Sequence, residues 1–160
     1  NKRCAATDIT PIFNFIGGLP TETQAELNAT LQLMRRLKSE NPGAIISGLS
    51  LYAPYPGTEL FARASAGGFL IPQQFDDWAE YSYFRAHQSL PVGARRRLEN
   101  INDITWFISD SAVSCWSLCM YLLTRPLAWW LRLRWTRSWF SYAPELRLLR
   151  KLRRWLGWGF

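Results

Sequence analysis

Short apolar runs alternate with segments of helical periodicity in the first half of the chain. Residues 11–19 are apolar, rich in aromatic and β-branched side chains and closed by two glycines, which is typical of a buried strand. Residues 44–52 form a second apolar run of strand length. Between the two runs, apolar residues recur at helical spacing: Leu27, Leu31, Met34 and Leu37.

Capping and turn residues separate these segments. Thr23 and Glu26 form a candidate capping box at the start of the helix, and the Asn-Pro-Gly run at 41–43 ends it. The run 53–58 predicts a loop, and 59–66 predicts a short helix closed by two glycines. The order strand, helix, strand, helix predicts an α/β fold with parallel strands joined by helical crossovers.

The pattern changes after residue 68. Residues 69–93 mix loop and short-helix signals and predict a connecting segment, whereas 94–160 predict a helical region that ends in a basic tail. We therefore divide the chain into an α/β segment at 1–68, the connecting segment and the helical region. Residues 111–123 form an uncharged, largely apolar run of thirteen residues. A membrane span needs about 20, so this run predicts a buried or interfacial helix.

The positive charge is concentrated at the end of the chain. Residues 1–120 carry ten Lys and Arg against eleven acids, whereas residues 121–160 carry nine against one, Glu145. Six of the nine Trp also lie in that last segment. A basic, Trp-rich segment on a near-neutral body predicts a surface-binding element rather than a uniformly basic nucleic-acid domain.

Residues 146–156 have the pattern of an amphipathic helix. On a wheel at about 100° per residue, Trp and Leu fall on one arc and Arg and Lys on the opposite arc, with Arg153 alone misplaced. This arrangement is typical of a helix in the plane of a membrane surface; the alternative is a helix packed on the body of the protein with Arg in solvent. We predict that residues 125–160 bind an anionic membrane surface, and that no nucleic acid is bound, because Arg and Trp occupy different arcs.

The cysteines and the histidine exclude several chemistries. Three Cys at uneven spacing argue against a disulfide framework, and His87, the single histidine, excludes a His-rich metal site. Cys115 and Cys119 lie in an apolar stretch and are interpreted as buried thiols. We therefore predict neither a metal site nor a catalytic residue within this chain.

A glycine turn joins the first predicted strand to its helix. The run 17–23 reads Gly-Gly-Leu-Pro-Thr-Glu-Thr. Glycines let a ligand approach the backbone, a helix N-terminus favours anionic or polar ligands, and sites in parallel α/β folds lie at the carboxyl ends of strands. The alternative interpretation is a plain turn.

The run 17–23 and the run 51–60, which reads Leu-Tyr-Ala-Pro-Tyr-Pro-Gly-Thr-Glu-Leu, together closely resemble the C-terminal half of a radical S-adenosylmethionine barrel. The resemblance is greatest to the class that carries an N-terminal cobalamin-binding domain. It covers residues 8–90 and extends loosely to Arg134-Trp135 and Pro144-Glu145. It implies the C-terminal part of a partial (β/α) barrel with parallel strands, followed by the helical tail.

The resemblance implies six cofactor-binding residues: Ile16, Gly17, Gly18, Glu22, Tyr52 and Pro54. The end of the first strand would help to hold the adenine and ribose of S-adenosylmethionine, and the segment after the second strand would close over the adenine. Glu22 is similar to the acidic residue that follows the turn in the family, although the stricter pattern places that acid one residue earlier, at Thr21. A charge at the helix N-terminus is the alternative role for Glu22.

The family binds a [4Fe-4S] cluster through Cys-x-x-x-Cys-x-x-Cys, and the cobalamin class has an Asp-x-His-x-x-Gly motif. Neither pattern occurs in this sequence. Because the chain also begins at Asn1 rather than Met, we expect the cluster ligands and any cobalamin domain in a missing N-terminal part of the parent enzyme, which is then the principal partner of this chain.

The resemblance implies a parent enzyme that cleaves S-adenosylmethionine reductively and methylates or cyclises an apolar substrate by radical chemistry. The present chain would be inactive alone, and the oxygen-sensitive cluster implies the cytoplasm, with peripheral attachment to the membrane surface through the tail. The alternative function is a non-enzymatic membrane-surface module that uses the basic Trp-rich tail. RNA binding by Arg and Trp is the third and weakest hypothesis.

Overall fold

The structure is a computed structural model, and it describes residues 1–81, 90–108 and 118–155. Within these residues the chain forms a short 3-10 helix at Cys4–Ala6, two strands and six helices. In chain order the strands and longer helices are β1 (Ile12–Gly17), α1 (Gln24–Glu40), β2 (Ile45–Leu51), α2 (Glu59–Ala66), α3 (Phe75–Glu80), α4 (Val92–Ile108), α5 (Leu118–Arg137) and α6 (Pro144–Trp155). The fold is α/β, and the predicted strand–helix–strand–helix order is confirmed.

Helix α1 begins and ends at the residues that the sequence indicates. The Glu26 carboxylate accepts a hydrogen bond from the Thr23 N–H at 2.7 Å, and the Thr23 hydroxyl accepts one from the Glu26 N–H at 3.3 Å. These two bonds form the capping box. At the other end, the Asn41 N–H still bonds to the Leu37 carbonyl, after which the backbone becomes extended. Helix α1 therefore connects β1 to β2 as a crossover.

The two strands pair in parallel. Ile12 lies opposite Ile45 at one end of the sheet and Gly17 lies opposite Leu51 at the other. The register shifts between Phe13 and Phe15, because β2 has an extra residue at this point. Gly48 lies there with a φ of 109°, and a Cβ on it would meet the Asn102 Oδ1 atom of α4 at 2.5 Å. Glycine therefore lets α4 approach β2 closely.

One face of the sheet is covered and the other is open. The covered face includes Phe15, Leu49 and Leu51, and packs against apolar side chains of α1 and α4. Residues of α5 and α6 complete the same core. The core members from the helices and the final loop are Leu27, Leu31, Met34, Leu98, Ile101, Ile104, Leu131, Trp135, Phe140, Ala143 and Leu146. On the open face, Ile12 is 62% exposed and Ile16 is 58% exposed.

The helical second half is described in part. The sequence predicts one long helix or two over 94–124; α4 ends at Ile108, α5 begins at Leu118, and residues 109–117 lie outside the described residues. Residues 82–89 of the predicted connecting segment also lie outside them, as does Leu156 of the predicted amphipathic helix. No helix within 1–81, 90–108 and 118–155 combines the length and hydropathy of a membrane span.

Candidate functional site

The two loops indicated by the sequence leave the same edge of the sheet. The Tyr52 N–H donates a hydrogen bond to the Gly17 carbonyl at 2.8 Å, directly after the last paired residues of the ladder. Because the strands are parallel, the carboxyl end of each strand lies at this edge. The loops that begin at Gly18 and Tyr52 are therefore neighbours, and we call the place where they meet the sheet edge.

Glu22 closes the first loop from within. Its carboxylate Oε2 accepts a hydrogen bond from the Gly18 N–H at 2.7 Å, and its own N–H donates to the Leu19 carbonyl at 3.0 Å. Gly18 has a φ of 77°, in the left-handed region that favours glycine. Glu22 lies one residue before the Thr23 cap, so its carboxylate stabilises the turn rather than the first turn of α1. A carboxylate has further lone pairs with which to accept hydrogen bonds from ligand hydroxyl or amine groups.

The two glycines of this loop are also required by packing. A Cβ on Gly17 would meet the Leu49 side chain at 3.1 Å, and a Cβ on Gly18 would meet Leu98 Cδ1 at 3.2 Å. Both positions therefore have an apolar neighbour on the covered side of the sheet. A larger residue at Gly18 would strain the backbone and crowd Leu98 whether or not a ligand binds, so Gly18 is a poor place to test binding by mutation.

The two predicted binding residues of the second loop differ in burial. Tyr52 is half-buried, and its ring lies edge-on to Phe69 with 6.2 Å between the ring centroids. Pro54 is fully buried. The resemblance implies that Tyr52 and Pro54 close over an adenine. Of the two, Tyr52 has the more accessible ring, whereas the Pro54 ring packs within the chain.

The phenol of Tyr52 has a second phenol in its neighbourhood, that of Tyr81, which the sequence did not indicate. The hydroxyl oxygens of Tyr52 and Tyr81 are buried and have no hydrogen-bond partner within the described residues. Burial raises the pKa of the Tyr81 phenol above its usual value, and the neighbouring phenols of Tyr52 and Tyr55 raise it further. Tyr81 also contacts Trp78 at 5.0 Å between ring centroids. Because the two tyrosines are about thirty residues apart and no local motif joins them, only the folded chain reveals the pair.

Ile16 projects from the open face of the same strand end. It lies opposite Ser50 of β2, and its side chain is more than half exposed. One step along the open face, the Ser47 hydroxyl donates a hydrogen bond to the Asn14 side-chain oxygen and joins the two strands. Of the six predicted residues, Ile16 therefore has the side chain most available to a ligand at the sheet edge.

Arg134 and Glu145, two residues of the loosely matching tail motifs, form an ion pair. The Arg134 guanidinium also donates to the Trp139 carbonyl at 2.6 Å and to the Tyr142 carbonyl at 2.7 Å, and it lies over the Trp130 ring. The Arg134 side chain is almost fully buried. These contacts hold the loop between α5 and α6, which is a structural role.

The structure, within its described residues, does not place the cysteines or the histidine at the sheet edge. Cys115 and His87 lie outside the described residues, as does the side chain of Cys119, and Cys4 is a half-buried free thiol. Within the described parts of the chain, no group of three or more His, Cys, Asp and Glu is placed to bind a metal ion.

No known family, no curated protein and no solved structure matches this chain. The sheet edge offers a carboxylate, two buried phenols, backbone groups of a glycine turn and the exposed side chain of Ile16. Such a set can hold a flat apolar ring and the hydroxyl groups of a small ligand.

Proposed function

We propose that this chain is the C-terminal part of a radical S-adenosylmethionine enzyme, and that the sheet edge is half of the cradle for the adenosine group of S-adenosylmethionine. The observation that carries the proposal is the Tyr52 N–H to Gly17 carbonyl bond at 2.8 Å, because it makes neighbours of the two loops that resemble the family. Had the strands been antiparallel, these loops would lie at opposite ends of the sheet.

Each predicted residue has a role in this proposal. Ile16 provides apolar contact to the adenine from the open face, and Tyr52 provides an aromatic ring and a phenol at the other side of the edge. Glu22 holds the turn through Gly18 and accepts hydrogen bonds from the ribose hydroxyls with its remaining lone pairs. Gly17 and Pro54 shape the backbone around these groups.

The open face supports the further proposal of a partial (β/α) barrel. A parallel strand that is covered on both faces has apolar residues in both phases, and β1 has Phe13 and Phe15 in one phase and Ile12 and Ile16 in the other. In the proposed parent enzyme, the open face becomes the barrel interior, and upstream strands add to the free edges of β1 and β2.

This chain's proposed share of the reaction is binding. The 160 residues lack the Cys-x-x-x-Cys-x-x-Cys motif, so the [4Fe-4S] cluster would be held by the N-terminal part, in the reducing cytoplasm. When bound there, the cluster supplies the electron for reductive cleavage of S-adenosylmethionine, and in the cobalamin class methylation or cyclisation of an apolar substrate follows. The residues of the sheet edge orient the adenosine group and exclude water from it.

The upstream reading frame tests this proposal. We expect it to encode Cys-x-x-x-Cys-x-x-Cys within a further run of strand and helix segments that completes the barrel. An upstream sequence without this motif, or one that encodes an unrelated fold, would contradict the proposal. The intact parent should also bind S-adenosylmethionine, whereas a parent that does not bind it would exclude the cradle.

A further inference from the structure

Helix α6 places its apolar side chains on two separate faces. Leu146 is buried in the core and Leu149 packs against it. Arg150 lies on the same inner side, where it donates to Asp103 at 2.7 Å and to the side-chain oxygen of Asn100 at 2.9 Å. The inner side of α6 is therefore already used to attach the helix to α4.

The other apolar residues of α6 are exposed. Leu148 is 59% exposed, Leu152 is 44% exposed and Trp155 is 83% exposed. On the helix wheel they lie within about 60° of one another, and they succeed one another along the helix at spacings of four and three residues. We call these three residues the outer stripe. Because the inner side holds the helix, the outer stripe is not required for the core.

Two cations border the outer stripe. Arg147 and Lys151 are exposed and lie four residues apart, on the arc next to Trp155. The Arg147 guanidinium lies 5.3 Å from the centre of the exposed Tyr142 ring. We call Arg147 and Lys151 the outer cations. Their positions put positive charge along one side of an exposed apolar row.

Helix α5 and the loop that follows it also combine aromatic rings with arginines. Trp139 is exposed, and the Arg137 guanidinium lies 5.6 Å from its ring centre. Trp130 donates a hydrogen bond to Glu145 at 3.1 Å, which joins α5 to the start of α6. Glu145 is the one acid in residues 121–160, and Arg134 neutralises it. The loop and helix that precede α6 therefore also carry exposed aromatic and cationic side chains.

We propose that the outer stripe docks onto the surface of an anionic lipid bilayer, with the outer cations at the level of the lipid phosphates. Leu and Trp side chains enter the boundary between headgroups and acyl chains, and Arg and Lys extend their charged ends back to the phosphates. Residues 121–160 carry nine Lys and Arg against one acid. Arg134 and Arg150 are paired within the chain, and the positive charge that remains complements an anionic surface. This surface is separate from the sheet edge and does not depend on its function.

Other polyanionic partners fit these observations less well. An RNA strand would stack its bases on open aromatic faces, but Arg137 and Arg147 already cover one face of Trp139 and Tyr142. Two exposed leucines of the outer stripe would also have no partner on a nucleic acid. A bilayer uses the leucines, the aromatic rings and the cations together.

Sedimentation with lipid vesicles tests the proposal on the full chain. We expect the chain to sediment with phosphatidylcholine vesicles that contain phosphatidylserine, more weakly with pure phosphatidylcholine vesicles, and more weakly again as salt is raised. Changing the outer stripe together, Leu148→Ala, Leu152→Ala and Trp155→Ala, should lower the partition coefficient at least about a hundredfold. The matched control changes three exposed apolar residues elsewhere, Ile9→Ala, Leu33→Ala and Phe75→Ala, and should leave it unchanged.

A charge variant gives a second, independent result. Replacing the outer cations by Gln should weaken binding about fivefold for each cation removed. Arg3→Gln with Arg96→Gln removes the same charge from exposed positions outside the tail and should have little effect. Far-ultraviolet circular dichroism establishes that each variant keeps its helices. If the stripe variant does not fold, the comparison of the charge variant with its Arg3 and Arg96 control tests the proposal instead.

Three results would overturn the proposal. The first is that the chain does not sediment with phosphatidylserine vesicles, and the second is that the outer variants and their controls lose binding equally. The third is that a single-stranded RNA displaces the chain from vesicles at a lower concentration than inositol hexakisphosphate does. The last result would assign the surface to nucleic acid. Loss of binding in the stripe variant with retention in its control supports the bilayer.

Discussion

The covered and open faces of the two-stranded sheet differ in how far their apolar side chains are buried. On the covered face, Leu49 is fully buried among residues from α1 and α4. On the open face, Ile12 and Ile16 of the same sheet are more than half exposed. Both faces of β1 nevertheless carry apolar side chains. The covered face is therefore completed within this chain, whereas the open face of β1 has the composition of a surface that another element covers.

The largest expected effect is a difference in unfolding free energy between Ala substitutions on the two faces. Leu49→Ala should lower the free energy of unfolding by about 2–5 kcal/mol, because it leaves a cavity in a packed core. Ile16→Ala, on the open face, should change it by no more than about 0.5 kcal/mol. Urea denaturation of the two variants measures both. Similar losses in the two would show that the open face is packed in solution.

The second prediction concerns how closely α4 approaches the sheet. Gly48→Ala should destabilise the protein by about 1–3 kcal/mol, since it strains a left-handed backbone and pushes against Asn102. Gly57 has a φ of 86°, and a Cβ on it would have no neighbouring atom within 4 Å, so Gly57→Ala measures the backbone strain alone. We expect Gly48→Ala to cost more than Gly57→Ala, and Asn102→Ala to restore part of the difference. Equal costs would show that α4 does not constrain Gly48.

The third prediction concerns the turn at the sheet edge. Glu22→Gln keeps an acceptor oxygen but removes the charge from its bond to the Gly18 N–H, and should cost about 0.5–1.5 kcal/mol in unfolding free energy. Glu59→Gln, at an exposed ion pair of α2, serves as the control and should cost less. If Glu22→Gln cost nothing, the carboxylate would not be holding the turn.

The smallest expected effect is a dependence of stability on pH from the capping box of α1. Hydrogen bonds from the Thr23 backbone and side chain lower the pKa of the Glu26 carboxyl below its usual value of 4.5 in the folded state. A lowered folded-state pKa means that the stabilisation is present above the unfolded pKa and is lost as pH falls through the folded one. Glu26→Gln should therefore flatten the fall in melting temperature below about pH 4.5. The same acid-induced fall in the variant and the original chain would contradict this assignment.

The sequence predicted the elements well because their signals are local. The capping box at Thr23 and the glycines after Ala66 mark helix ends without reference to the rest of the fold. The helix between two apolar runs also indicated parallel strands, since a crossover returns the chain to the same edge. The neighbouring loops of the sheet edge follow from that topology.

The remaining features depend on contacts between distant residues. Gly48 requires glycine because Asn102 lies beside it, and Gly18 packs against Leu98 of α4. A helical wheel gives the angle between side chains but not the direction of the core, so it could not show that Arg150 faces inward to Asp103 while Leu148 faces outward. The buried phenols of Tyr52 and Tyr81 likewise come near each other only in the folded chain.

The central claim is tested most directly by equilibrium binding of S-adenosylmethionine to the proposed parent enzyme. The experiment compares one substitution at each end of the open face. Ile16 and Ile12 are on the same face of β1, about 13 Å apart, with only Ile16 at the sheet edge. We predict that Ile16→Ala weakens binding about tenfold and that Ile12→Ala leaves it unchanged. Equal affinity of both variants and the original enzyme would contradict the claim that the carboxyl ends of β1 and β2 hold the adenosine group.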